Sequence, residues 1–333
     1  MKHKTVIAAV CFALALILAG AVLIYTKKRN TTDSSEAFKT EFFTMDTVCG
    51  ITLYGNSDLS EYRALIERLD KELDSHDEGS SIYKFNQSGS GELSKNAAEL
   101  YDKSKTLFEQ YGNVDVTYGG LIALWGITSD SPRVPSDEEI AAELEKAGFD
   151  KLEQNGSKLH SASGASLDFG ATAKGYALDK VYEELKENGE SCAVVTLGSS
   201  TLLYGKKPDG KPFKTGVKDP FSPDRLLLTF ESGEAFVSTS GGYERFFEAG
   251  GKRYIHILDL KTGRPSESDL ASVTVICDSG IKSDFLSTAI FIGGREGLTK
   301  YLDDSSIQII AVDNEGEIIY SQSLGGKITM NGG

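Results

Sequence analysis

Residues 5–25 run from Thr5 to Tyr25 without a charge, 21 residues of almost continuous apolar side chains. That is long enough to span a bilayer. The run therefore divides the chain, because whatever follows it must build a core of its own. Two readings compete for it. Ala19-Gly20-Ala21 offers a cleavage pattern for a secretory signal peptide. The apolar run continues past that point, which favours an uncleaved transmembrane helix with residues 1–29 as the anchor segment. Cys11 follows Val10 rather than the small residue of a bacterial lipoprotein signal, so lipidation is not expected. Charge bias leaves the orientation open: Lys2, Lys4 and the α-amine on one side balance Lys27, Lys28 and Arg29 on the other. Residues 30–39 then read as a polar tether with little to bury.

The remainder is strongly acidic. The whole chain has a formal charge of −14, and its first 29 residues hold five Lys or Arg and no acid, so the body carries −19. Such a body repels nucleic acid and anionic membrane surfaces. A phosphate-bearing ligand would need local lysines or a metal to overcome that background. Cys49, Cys192 and Cys277 are far apart and each sits in an apolar, strand-like context. They form no disulfide framework and no zinc pattern, and buried free thiols are expected.

Periodicity gives the element plan. Phe42 to Tyr54 reads as strand. Leu59, Tyr62, Leu65, Ile66, Leu69 and Leu73 fall on one helical face. Residues 76–91 read as a polar loop. Helices are expected from Ser94 to a stop at Gly112, from a capping box at Ser136 and Glu139 to Gly148, and from Thr172 to Asn188. The second half is richer in strands: residues 193–197, 226–230, 235–238, 255–258 and 272–277. Helices follow near 283–292 and 296–302, and a closing hairpin turns at Asp313-Asn-Glu-Gly316. Strands and helices do not alternate strictly. The fold class is therefore α+β, a single mixed body with an antiparallel-rich sheet over residues 40–325, followed by a tail over 326–333.

The usual nucleotide signatures are missing. No G-x-G-x-x-G follows a strand, and Lys207 stands after Gly205-Lys206 where a Walker loop needs Ser or Thr. No G-x-S-x-G elbow is present. Other residues have chemistry to offer. His256, between Ile255 and Ile257 with Asp259 three residues on, is a candidate proton acceptor, though taken alone a strand histidine is more often a hydrogen-bonded core residue. Asp284 and Thr288 are i and i+4, hence on one helix face. A carboxylate with a hydroxyl suits Mg²⁺; a helix cap and a back-bonded threonine fit the same spacing. Residues 168–174 look like a tight loop entering a helix, where backbone N–H groups can meet an anion.

Five dispersed segments occur in order: Asp115-Val-Thr-Tyr-Gly-Gly-Leu-Ile-Ala-Leu-Trp-Gly126, Asp168-Phe-Gly-Ala-Thr-Ala-Lys-Gly-Tyr-Ala-Leu-Asp179, Ser238-Thr-Ser-Gly-Gly-Tyr-Glu-Arg-Phe-Phe247, the His256 stretch from Tyr254 to Pro265, and Ser283-Asp-Phe-Leu-Ser-Thr-Ala289. Together they resemble the FAD:protein FMN transferase (ApbE) family over about residues 40–325. The resemblance implies a Mg²⁺-dependent enzyme that splits FAD at its pyrophosphate, attaches FMN to a Thr or Ser of an acceptor flavoprotein and releases AMP. It implies metal ligands at Asp284, Thr288 and the Ala171 carbonyl, a catalytic base at His256, and Lys174 near the pyrophosphate. For the flavin nucleotide it implies Met45, Tyr83, Ala123, Leu124, Trp125, Asp168 and Leu258. Acceptors of the family belong to membrane redox complexes or extracytoplasmic electron carriers, which places the body outside the cytoplasmic membrane. Departures are visible. Asp46 replaces the glycine of Met-Gly-Thr, Gly198-Ser199-Ser200 replaces Gly-Gly-Asp/Asn, and Gly242 and Leu260 stand where the family has Asp and Pro. An FAD pyrophosphatase using water in place of the acceptor, and a non-catalytic flavin-binding protein, are the alternatives.

Overall fold

A computed structural model describes residues 35–331. The apolar run and residues 30–34 of the tether lie outside the described residues, and Ala37–Lys39 of the expected tether belong to the first strand instead. Among the described residues no helix is long and apolar enough to cross a membrane.

The body is organised by an eight-stranded sheet whose spatial order is its chain order. Its strands are Ala37–Thr44 (β1), Thr47–Tyr54 (β2), Cys192–Leu197 (β3), Ser200–Gly205 (β4), Ala235–Gly241 (β5), Leu270–Cys277 (β6), Gln308–Asp313 (β7) and Ile318–Tyr320 (β8). Every neighbouring pair is antiparallel. Apart from the segment after β8, the other described elements are inserted between consecutive strands. Between β2 and β3 come helices Ser60–Leu73 (α1), Ser81–Ser88 (α2), Lys95–Tyr111 (α3), Gly119–Trp125 (α4), Asp137–Lys146 (α5) and Ala173–Glu187 (α6), with a small three-stranded sheet. Helix Gly280–Thr299 (α7) links β6 to β7.

Strand alternation sorts the two faces. Cys49, Ile51 and Leu53 of β2 join the core formed with α1, α3 and α6, while Val273 and Val275 of β6 pack under α7. Val237 of β5 and Ile276 of β6 point the other way, against Phe213, Val217, Leu228 and Phe230 of a long hairpin between β4 and β5. Each large apolar side chain buried in this way contributes about 1.5–3 kcal/mol. That hairpin gains a third strand, Ile328–Met330, paired with Leu228–Phe230. Residues 328–330 of the expected tail thus pair with the body.

Several expectations are corrected. The single strand over 42–54 is a hairpin, because Met45 and Asp46 take φ of 50° and 54° and reverse the chain in two residues. Such a turn normally announces itself with Asn-Gly or Asp-Gly, and Met-Asp does not. The expected polar loop contains α2, capped by the Ser80 hydroxyl accepting from Tyr83 N. The two helices expected near 283–292 and 296–302 are present, separated within Gly280–Thr299 by a break at Gly294, where φ is 62°. The buried strand over 255–258 is interrupted, since His256 and Ile257 lie between the short strands Lys252–Ile255 and Leu258–Asp259. The Ser136–Glu139 capping box is present.

Candidate active site

At one end of the sheet the turns after β1 and β3, the end of β5 and the start of α6 surround a cleft of about 920 Å³. That volume suits a nucleotide-sized ligand. Met45, Asp168, Ala171, Lys174, His256, Leu258, Asp284 and Thr288 line it. Eight of the residues singled out from the sequence therefore meet in one place, drawn from segments up to 243 positions apart.

The acidic side of the cleft is the more tightly built. Helix α7 runs back along β5, and hydroxyl pairs join the two: Ser238 Oγ with Ser283 Oγ at 2.8 Å, and Ser240 Oγ with both Ser287 Oγ and Thr288 Oγ1 at 2.9 Å. Where α6 crosses α7, a Cβ on Gly175 would lie 2.1 Å from the Gly280 carbonyl oxygen, so only glycine fits. The crossing presents the Gly175 N–H to Asp284 Oδ2 at 2.7 Å, and Ser200 Oγ donates to Asp284 Oδ1 at 2.6 Å. The anion at the start of α6 is therefore the protein's own carboxylate. Asp179 reaches the other way and accepts from the Gly280 and Ile281 amides, capping α7.

The histidine side hangs on the insertion between β5 and β6. His256 N and Nδ1 both lie 3.1 Å from the Arg245 carbonyl oxygen. A carbonyl only accepts, so Nδ1 carries the proton and Nε2 keeps its lone pair. Burial pushes the imidazole down to about 4; the Arg245 carbonyl opposes this, while Lys174 and the Arg245 charge reinforce it. His256 is thus a neutral base throughout the neutral range, well below the ordinary 6.5. The Arg245 guanidinium donates to the Asp46 carbonyl at 2.7 Å, tying this insertion to the β1–β2 turn.

Asp168 accepts from Gly170 N at 2.8 Å within its loop. Burial pushes its carboxyl up, against the Gly170 amide, His76 and Ser75. Asn86 of α2 holds the preceding residue, bonding to both the N–H and the carbonyl of Leu167 at 2.7 and 2.8 Å.

Four of the residues expected at the flavin do not line the cleft. Trp125 is buried, donates from Nε1 to the Gly263 carbonyl at 2.8 Å, and packs with Leu121, Ile140 and Leu258. It supports Leu258 from behind. Leu124 packs at the edge of the same cluster, Ala123 is exposed, and Tyr83 lies on α2. The cleft also contains residues given no role from the sequence: His76, Lys218, Glu244 and Arg245. Glu244 and Arg245 lay inside a segment already singled out. Lys218 sits on a strand, Phe213–Asp219, that the periodicity did not reveal. Burial pushes the Glu244 carboxyl up, opposed by Lys174, Ser199, Lys218 and Arg245. Local cations thus gather in the cleft of an acidic body.

Asp284, Thr288 and the Ala171 carbonyl supply only oxygen donors, the chemistry that suits Mg²⁺. The carboxylate accepts one hydrogen bond on each oxygen and retains lone pairs. The residues present therefore fit such a cation. Among the described residues no cluster of three or more His, Cys, Asp or Glu side chains could hold a metal. The donor set rests on one carboxylate with neutral oxygens.

A mostly antiparallel α+β body thus carries an oxygen-lined cleft with local lysine and arginine charges and a neutral histidine. The ApbE family model matches residues 45–311, and the chain belongs to that family. It is similar to the FAD:protein FMN transferase of Vibrio cholerae, at 29% identity over 76% of this chain and 78% of the relative. The FAD:protein FMN transferase of Haemophilus influenzae is 27% identical over 84% of this chain and 85% of its own. Among solved structures, the ApbE protein of Thermotoga maritima superposes with a TM-score of 0.81 at 28% identity, covering 88% of this chain and 99% of that one. The Vibrio cholerae flavin transferase ApbE gives 0.76 at 27% identity, covering 87% and 99%.

Proposed function

We propose that the chain is an FAD:protein FMN transferase that moves FMN from FAD to a Thr or Ser hydroxyl of an acceptor flavoprotein. The observation that carries this reading is the meeting of His256, Lys174, Asp284 and Thr288 on one nucleotide-sized cleft. His256 Nε2 takes the hydroxyl proton. The hydroxyl oxygen bonds to the FMN phosphorus as the bond from that phosphorus to the bridging oxygen breaks, and AMP leaves with the bridging oxygen. Lys174 lies close enough to influence His256 and Glu244 electrostatically, and serves to offset phosphate charge. Asp284, Thr288 and the Ala171 carbonyl would hold Mg²⁺. When bound, the ion supplies Lewis-acid stabilisation of the pyrophosphate oxygens.

The test is to incubate the protein with FAD, Mg²⁺ and a candidate acceptor, then weigh the acceptor. A mass gain of one FMN phosphoryl group with equimolar AMP is expected. Release of free FMN and AMP with an unmodified acceptor would make the enzyme a pyrophosphatase instead. The same proposal places the body outside the cytoplasmic membrane on the residue 5–25 anchor, among acceptors of membrane redox complexes or extracytoplasmic carriers. Protease added to intact cells should then digest the body; full protection would put it inside.

A further inference from the structure

The sheet turn between β3 and β4 lies where the sheet meets the acidic wall. Ser200 opens β4, fully buried, and its hydroxyl donates at 2.6 Å to Asp284 Oδ1. Asp284 is itself 7% exposed. A hydroxyl bonding to an ionised carboxylate at this distance is a charge-assisted bond. Neither partner can readily exchange the other for water. The second carboxylate oxygen is held by the Gly175 amide at 2.7 Å. That amide is fixed by the close Gly175–Gly280 crossing, where neither backbone can carry a side chain.

The carboxylate is therefore clamped from two sides, by a strand and by a helix, before any cation arrives. The chemistry at position 200 matters because a carboxylate only accepts hydrogen bonds and needs a donor opposite it. An ionised aspartate cannot donate to Asp284 and would repel it. A serine hydroxyl donates and holds the carboxylate in one orientation. We infer that Ser200 is a positioning residue for a divalent cation at Asp284, its hydroxyl donating to and orienting the carboxylate. This rests on the reading of Asp284 as a cation ligand. Residues that orient a metal ligand typically change metal affinity by about 10- to 100-fold when removed.

The experiment is equilibrium binding of Mn²⁺ alone to the full-length protein, read from the electron paramagnetic resonance of the free ion, with melting temperature measured on each preparation. Ser200→Ala should raise the Mn²⁺ dissociation constant by about 10- to 100-fold. Ser200→Thr, which keeps the hydroxyl, should bind close to wild type, and Asp284→Ala should lose the site. If Asp284→Ala loses Mn²⁺ while Ser200→Ala binds as wild type, Ser200 has no part in the site and the inference falls alone. If Asp284→Ala binds Mn²⁺ as tightly as wild type, the cation assignment falls and takes the inference with it. Should Ser200→Ala fail to fold, Ser200→Thr decides. A normally melting Thr variant with weak Mn²⁺ binding would overturn the role of the hydroxyl.

Discussion

The two walls of the cleft are built in different ways. Helix α7 is buried along its cleft-facing half, joined to β5 through the serine and threonine pairs and to α6 through a glycine crossing. Asp284 and Thr288 sit on that framework. The insertion of residues 242–269 has only short two-strand ladders, Phe246–Ala249 with Lys252–Ile255 and Leu258–Asp259 with Arg264–Pro265. Its ion pairs, Arg253 with Glu248 and Lys252 with Glu267, are exposed and contribute little. His256 is held there by one carbonyl, and the Arg245 side chain reaches across to the Asp46 carbonyl. A cation site needs fixed ligand geometry, which packed elements supply. On the proposed reading His256 meets a hydroxyl on a second protein, which a segment open to the cleft mouth allows. The contrast predicts that damage to the first wall costs both structure and chemistry, and damage to the second costs chemistry alone.

The largest effect should follow Asp284→Ala. It removes the carboxylate proposed to hold the cation and leaves the Ser200 hydroxyl and Gly175 amide buried without their partner. Transfer should fall on the order of 10³-fold, as loss of several kcal/mol of charge stabilisation implies, and added Mg²⁺ should restore only part. Stability should fall by about 1–3 kcal/mol for each orphaned donor, seen in denaturant melts. Normal turnover at low Mg²⁺ would break the comparison at its strongest point.

His256→Asn should be cleaner. Loss of general-base help lowers transfer by about 10²-fold or more. FAD affinity and melting temperature should stay close to wild type. If stability and FAD binding fall together while transfer per folded molecule is intact, His256 is a core residue and both walls are structural.

The smallest effect is in the wild-type pH profile. An imidazole at its ordinary value would make transfer rise with pH through about 6.5. Burial holds His256 near 4, so it is already unprotonated above that range. Single-turnover transfer should therefore be flat from about pH 6 to 8 and decline only as the pH falls toward about 4. Stability follows the same sign. The unfolded histidine takes up its proton first, so the contribution is whole above about 6.5 and is lost as the pH falls through 4. A midpoint near 6.5 in the transfer rate would show that water reaches the ring more freely than its surroundings imply.

Much of the site was legible because its residues lie in segments with strong local character. Asp284 and Thr288 are one helical turn apart, and that spacing alone puts them on one face. Asp168 and Lys174 flank a glycine-bearing entry to a helix. Their convergence was legible only through family likeness, not through periodicity. Trp125 shows the limit: as the sole tryptophan beside a singled-out motif it was expected at the flavin, yet it packs behind the wall and bonds to Gly263.

The sequence by itself determined the apolar run, the acidic body, the α+β class and most helix boundaries. Those properties depend on composition and on neighbours within a few positions. Gly112 ends α3 with φ of 68°, and Ser136 with Glu139 starts α5, because capping is local. Tertiary structure decided the rest. The meander order of the sheet, the hairpin at Met45-Asp46, the tautomer of His256 and its depressed basicity all depend on partners far away in sequence. The clamp on Asp284 is the clearest case. Ser200 and Gly175 are 84 and 109 positions from it, and neither has any local reason to bond a carboxylate. Only the packing of β4, α6 and α7 brings their donors within reach.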